Sequence, residues 1–133
     1  MSEANLERVR ALVRAFETRD RTVADHFTPD VVMHAPEGWP EPGPMLGREE
    51  VIGQFVRLGE DWKSYTMTIT RTETRPESVI ASILWKARGA ASEIALDAEL
   101  TGVYFFRDGL VHELAFFWSW DEAVAAADRG PSR

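Results

Sequence analysis

An α+β architecture, with a cone-shaped, curved antiparallel or mixed sheet wrapped around N-terminal helices, is what this 133-residue sequence predicts. Three observations carry the prediction. Leu6, Val9, Leu12, Val13 and Phe16 recur at helical spacing. From Ser64 onward the apolar period switches to two, and four strand-like runs follow one another. The last two of these, within Ile94 to Trp120, meet at Arg107-Asp108-Gly109 and run directly into a helical segment. Helices segregated from a run of strands call for a helix layer packed on a sheet.

In chain order, residues 3 to 19 form an amphipathic helix with Ser2 as N-cap. A short second helix is capped by Thr22, buries Val23 and Phe27, and ends at Pro29. Val31 to His34 is a strand. Ala35 to Leu46 carries four prolines and two glycines, which makes it a semi-rigid loop with Trp39 inside it. Gly47 to Asp61 is a helix with Glu49 and Glu50 in its first turn and Val51, Ile52, Phe55, Val56 and Trp62 on the buried side. Pro76-Glu77-Ser78 and Gly89 to Glu93 separate the next strands, and Ser119 with Glu122 caps a final helix that stops at Gly130-Pro131.

The turn between the last strands fixes which side chains face inward. A three-residue loop with Gly109 in the left-handed conformation pairs even with even positions. That puts Leu96, Leu100, Gly102, Tyr104 and Phe106 on one apolar face with Leu110, His112, Leu114, Phe116 and Trp118. The other face mixes Asp97, Glu99, Thr101 and Glu113 with Val103, Phe105, Val111, Ala115 and Phe117, which suits solvent or a partner subunit.

One domain over 1–133 follows from the length. A formal charge of −7, with 15 basic residues dispersed among 22 acidic ones, argues against nucleic acid as a partner. Without cysteine there is no disulfide, thiol nucleophile or thiolate metal site. No run approaches the roughly 18 apolar residues of a membrane span, and the first residues lack the character of a signal peptide, so no membrane partner and a cytoplasmic location are the expectation.

Val32-Met33-His34-Ala35-Pro36, Gly47-Arg48-Glu49-Glu50-Val51 and Arg107-Asp108-Gly109-Leu110-Val111, in this order, resemble the SnoaL-like branch of the nuclear-transport-factor-2-like superfamily over nearly the whole chain. The resemblance implies an α+β barrel with a small-molecule pocket, often a homodimer packed through the outer sheet face, here through Val103, Phe105, Val111 and Phe117. Family enzymes include ketosteroid isomerases, polyketide cyclases, dehydratases and epoxide hydrolases, which use acid and base side chains inside the cone. The isomerase-like positions fall on Leu12, Ala35 and Gly102, and the cyclase-like pair on Gly102 and Phe116, none of which transfers a proton. Arg88 with Asp97 supplies part of an epoxide-hydrolase-like set only if the even-numbered face is not the inner one.

His34 is therefore the candidate acid or base, because an imidazole titrates near neutrality. The competing reading is a strand-end histidine bonded to the proline-rich loop. Tyr104 and His112 are expected as cross-strand neighbours, either polar anchors of a reaction or a satisfied pair. Asp97 and Glu99 read as a solvated or interface face, and the three histidines make a poor metal site. Trp39, Trp62, Leu100, Phe116 and Trp118 are the candidate ligand contacts, although core packing also explains most of the tryptophans. Two functions stand: a cofactor-free, metal-free acid/base enzyme of isomerase, cyclase or dehydratase type acting on a small hydrophobic molecule, or a non-catalytic ligand-binding or dimerisation module.

Overall fold

The computed structural model describes residues 2–39, 43–60, 62–89 and 95–132. Part of the proline-rich loop, the turn expected after Gly89, and the side chains of Trp62 and Leu96 lie outside the described residues. Helix α1, Ser2–Glu17, buries Val9, Leu12 and Val13, and its end is tied down by the Tyr65 hydroxyl, which donates to the Phe16 carbonyl at 2.8 Å. A 3-10 helix, Arg21–His26, follows. Its cap is Asp20 rather than Thr22: the Asp20 carboxylate accepts from the Thr22 amide at 2.9 Å, a bond that a short carboxylate side chain makes readily two residues on.

Strand β1, Phe27–His34, begins earlier than the sequence suggested and passes through Pro29. It tolerates the proline because its register against the neighbouring strand is irregular between Phe27 and Val32, where no regular ladder asks for the missing amide. A two-residue strand β2, Met45–Leu46, pairs with it, a feature too short to leave a periodic signal. Helix α2, Arg48–Glu60, is anchored to β1 by the Arg48 guanidinium, which donates to the Phe27 carbonyl.

Strands β3 (Trp62–Thr74), β4 (Ser78–Gly89), β5 (Ala95–Arg107) and β6 (Leu110–Phe117) form an antiparallel meander. The full order is β2-β1-β6-β5-β4-β3, with β1 parallel to β6. The result is a curved, mixed, six-stranded sheet that stays open, because the edge strands β2 and β3 do not pair with each other; the expectation of a barrel is corrected to this.

The β5–β6 hairpin corrects the expected turn. Asp108 (φ 55°) and Gly109 (φ 80°) form a two-residue loop with Arg107 opposite Leu110, both central residues having the positive φ that a type I′ turn requires. Phe106 then faces Val111 while Phe105 faces Glu113, so His112 is the extra residue of a β-bulge. Beyond the bulge, even positions pair with even: Tyr104 with Leu114 and Gly102 with Phe116. The expected inner face thus stands for Tyr104, Phe106, Leu114 and Phe116, which join the core between sheet and helices, whereas near the turn Val111 points inward in place of His112. Gly102 makes room for its neighbours, since a Cβ there would lie 3.0 Å from the Tyr104 ring and 3.2 Å from that of Phe116.

Helix α3, Trp120–Arg129, is capped by Ser119, whose hydroxyl accepts from the Glu122 amide and donates to its carboxylate. It folds back across the outer sheet face, where Ala123 and Ala126 pack on Ile80, Val103 and Phe105. The surface expected for homodimerisation is thereby closed by the chain's own helix, apart from Val111, which is buried on the inner side. Among the described residues no helix is long and apolar enough to cross a membrane.

Candidate ligand-binding site

Between the concave sheet face and the two long helices the core is left incompletely filled. The void, about 60 Å³, is bounded by Phe16 of α1, Gln54 and Phe55 of α2, Met33 of β1, and Met67, Ile83, Trp85, Leu100 and Phe116 from β3 to β6. Ala35, Pro36 and Trp39 close one end. Among the described residues its wall carries no titratable side chain, and Gln54 supplies the only amide group. Gln54 is itself 1% exposed, and its side-chain oxygen accepts from the Arg57 guanidinium at 3.1 Å.

Trp39, Leu100 and Phe116, expected as ligand contacts, border this void. Trp118 does not line the void, being half exposed just past the end of β6. It acts one step away: its indole N–H donates to the Glu37 carbonyl at 2.7 Å and its ring lies 6.4 Å from that of Trp39. Such a clip holds the loop against the cavity end.

The three expected polar residues are not brought together. Met33 points inward, so its neighbour His34 projects from the outer face. There the His34 Nε2 and Glu113 Oε2 lie 3.1 Å apart. Glu113, only 3% exposed, also accepts from the backbone amide of Ser132 through both carboxylate oxygens and from the Ser132 hydroxyl at 3.0 Å. These residues border an outer recess of about 350 Å³ beside the end of α3.

Tyr104 faces Leu114, not His112, and is buried in the core, where burial raises its phenol above the ordinary value. The bulge displaces His112 from the expected pairing. Asp97 and Glu99 are exposed, and Glu99 accepts from the Thr70 hydroxyl at 2.6 Å. Sequence reasoning overlooked Gln54 and the Met33–Met67 wall. The available signal was the strand alternation that makes Met33 and His34 face opposite ways.

An open, curved sheet that cups two helices around an apolar hollow is the architecture of the nuclear-transport-factor-2-like proteins. Within that class the chain belongs to the family of the SnoaL-like domain, whose model matches residues 9–114. Among solved structures the fold is similar to that of Bal32a from a soil-derived mobile gene cassette, at 24% identity and TM-score 0.80 over 92% of this chain and 95% of that one. It is also similar to TerC co-crystallised with polyporic acid, at 15% identity and TM-score 0.76 over 92% and 99%. A third is RV0760c from Mycobacterium tuberculosis in complex with estradiol-17β-hemisuccinate, at 19% identity and TM-score 0.73 over 89% and 95%. No curated protein sequence matches the chain.

Proposed function

We propose that this protein binds a small, largely apolar molecule in the hollow between sheet and helices, and that it does so without catalysing a reaction there. The observation that carries this reading is the wall itself: side chains from five strands and two helices converge on a void, and among the described residues none of them can transfer a proton. Apolar cavities of this kind stay dry and bind apolar guests. Met33 and Met67, unbranched and with several rotatable bonds, let the wall adapt to a guest larger than the resting void. The small molecules named with TerC and RV0760c support the same use of the fold. Against acid–base turnover by His34, Tyr104 and His112 stands their dispersal over an outer face, a packed core and a bulge.

Xenon, a neutral apolar probe, tests the reading. Under xenon pressure the methyl NMR signals of Met33 and Met67 are expected to shift and saturate; Leu100→Phe, which fills the hollow, should abolish the response, and His34→Ala should leave it intact. Methionine methyls that stay still in the unaltered protein would refute it.

A further inference from the structure

The hollow has a neighbour. Where the end of α1, the 3-10 helix and α2 converge, a second depression of about 290 Å³ reaches the surface beside Val56, which is 54% exposed. Phe16 and Phe55 border both spaces. Their rings meet edge to face, with centroids 4.3 Å apart and planes at 69°. What divides the two compartments thus includes one aromatic contact, which adds little beyond the area it buries. A ligand chain passing between the rings would replace that contact with its own. The inner hollow alone is well below the usual size of a small-molecule site, about 300–1,000 Å³, whereas the outer depression is at its lower edge and the two joined fall within it.

The outer compartment differs in chemistry. Its walls are apolar, but Arg19, Asp20, Arg21 and Glu60 border it. Two cations and two anions at one rim favour a neutral polar group, which can accept from the first pair and donate to the second; a charged head would meet its own sign as well.

We propose that the ligand site is continuous, running from the inner hollow between Phe16 and Phe55 into the outer depression, and that it takes an elongated, uncharged molecule, apolar along most of its length with a hydroxyl at its outer end. This rests on the reading of the hollow as a ligand site. The test is a titration of the full chain, with methionine and valine methyls labelled, against 1-decanol, with decanoate as the charged comparator and xenon as the probe of the inner space alone. Decanol is expected to shift the inner methyls of Met33 and Met67 and the outer methyls of Val23 and Val56 along one saturation curve, at one molecule per chain. Val56→Trp, a change at an exposed position that fills the outer depression, should weaken decanol at least tenfold while leaving the xenon response of Met33 and Met67 unchanged. Decanoate should bind more weakly than decanol.

Separate curves for the two methyl sets, movement of one set alone, or unaltered decanol affinity in Val56→Trp would overturn the continuous site while leaving the inner hollow in place. Decanoate binding as tightly as decanol would overturn the assignment of an uncharged head. Inner methyls that respond neither to xenon nor to decanol would remove the underlying reading and this extension together.

Discussion

The two faces of the sheet use the same strands for opposite purposes. Met33 faces inward on the apolar hollow and Leu114 into the core; His34 and Glu113, each one residue away, face outward into a hydrogen-bonded cluster that holds Ser132. The apolar hollow and the His34–Glu113 pair are thus separated by the thickness of one sheet. Closeness in sequence says little about shared chemistry in a strand, because alternation sends consecutive side chains to different environments.

Paired changes at adjacent positions sharpen this contrast. The largest effect belongs to Leu114→Ala, which removes a side chain that is 1% exposed in the inner core; a loss of about 3 kcal/mol is expected in urea unfolding. A loss below about 1 kcal/mol would mean that the inner face is loosely packed around Leu114. Glu113→Gln, one residue away, keeps an acceptor for Ser132 and should cost about 1 kcal/mol. Its more telling readout is hydrogen exchange: the Ser132 amide should gain far more in exchange rate than Met33 and Leu114, and an equal acceleration spread through the core would contradict the division of faces.

The smallest effect lies outside both faces. His26 sits against α1, where the Arg8 guanidinium donates to its Nδ1 at 3.1 Å. Desolvation, and then the Arg8 charge, push its pKa below the ordinary value of 6.5, with Asp25 and Asp20 opposing. Below that value the unfolded chain binds a proton that the folded chain resists, so stability is fully present above about pH 6.5 and declines on acidification toward the lower folded pKa. His26→Gln should flatten this part of the pH–stability curve; an unchanged slope would assign it to other groups.

Much of the layout was legible in the sequence, because periodicity is a local property. The helical stripe of Val9, Leu12 and Val13 and the capping pair Ser119 and Glu122 follow from spacing alone, whereas the inward set Tyr104, Leu114 and Phe116 comes out as expected because the bulge at His112 offsets the tighter turn. What could not be read were the long-range choices. The register of β1 against β6, with Met33 opposite Leu114, turns His34 outward; alternation near His34 shows that it and Met33 differ in face, but not which of the two points in. The fold-back of α3 over Val103 and Phe105 occupies the face that looked ready for a second subunit. The register of the hairpin was missed by two positions, since Asp108-Gly109 made a tighter turn than expected and the bulge at His112 has no compositional mark.

That bulge decides which kind of interior this protein has. With the same residues and the same turn, a straight β6 would let His112 take the outward place opposite Phe105, swing Glu113 in beside Tyr104 and push Leu114 out. One surplus backbone unit thus keeps an acid out of the core beneath the helices. A lineage could trade a greasy container for an acid-bearing one by ironing out that kink, with no new side chain invented.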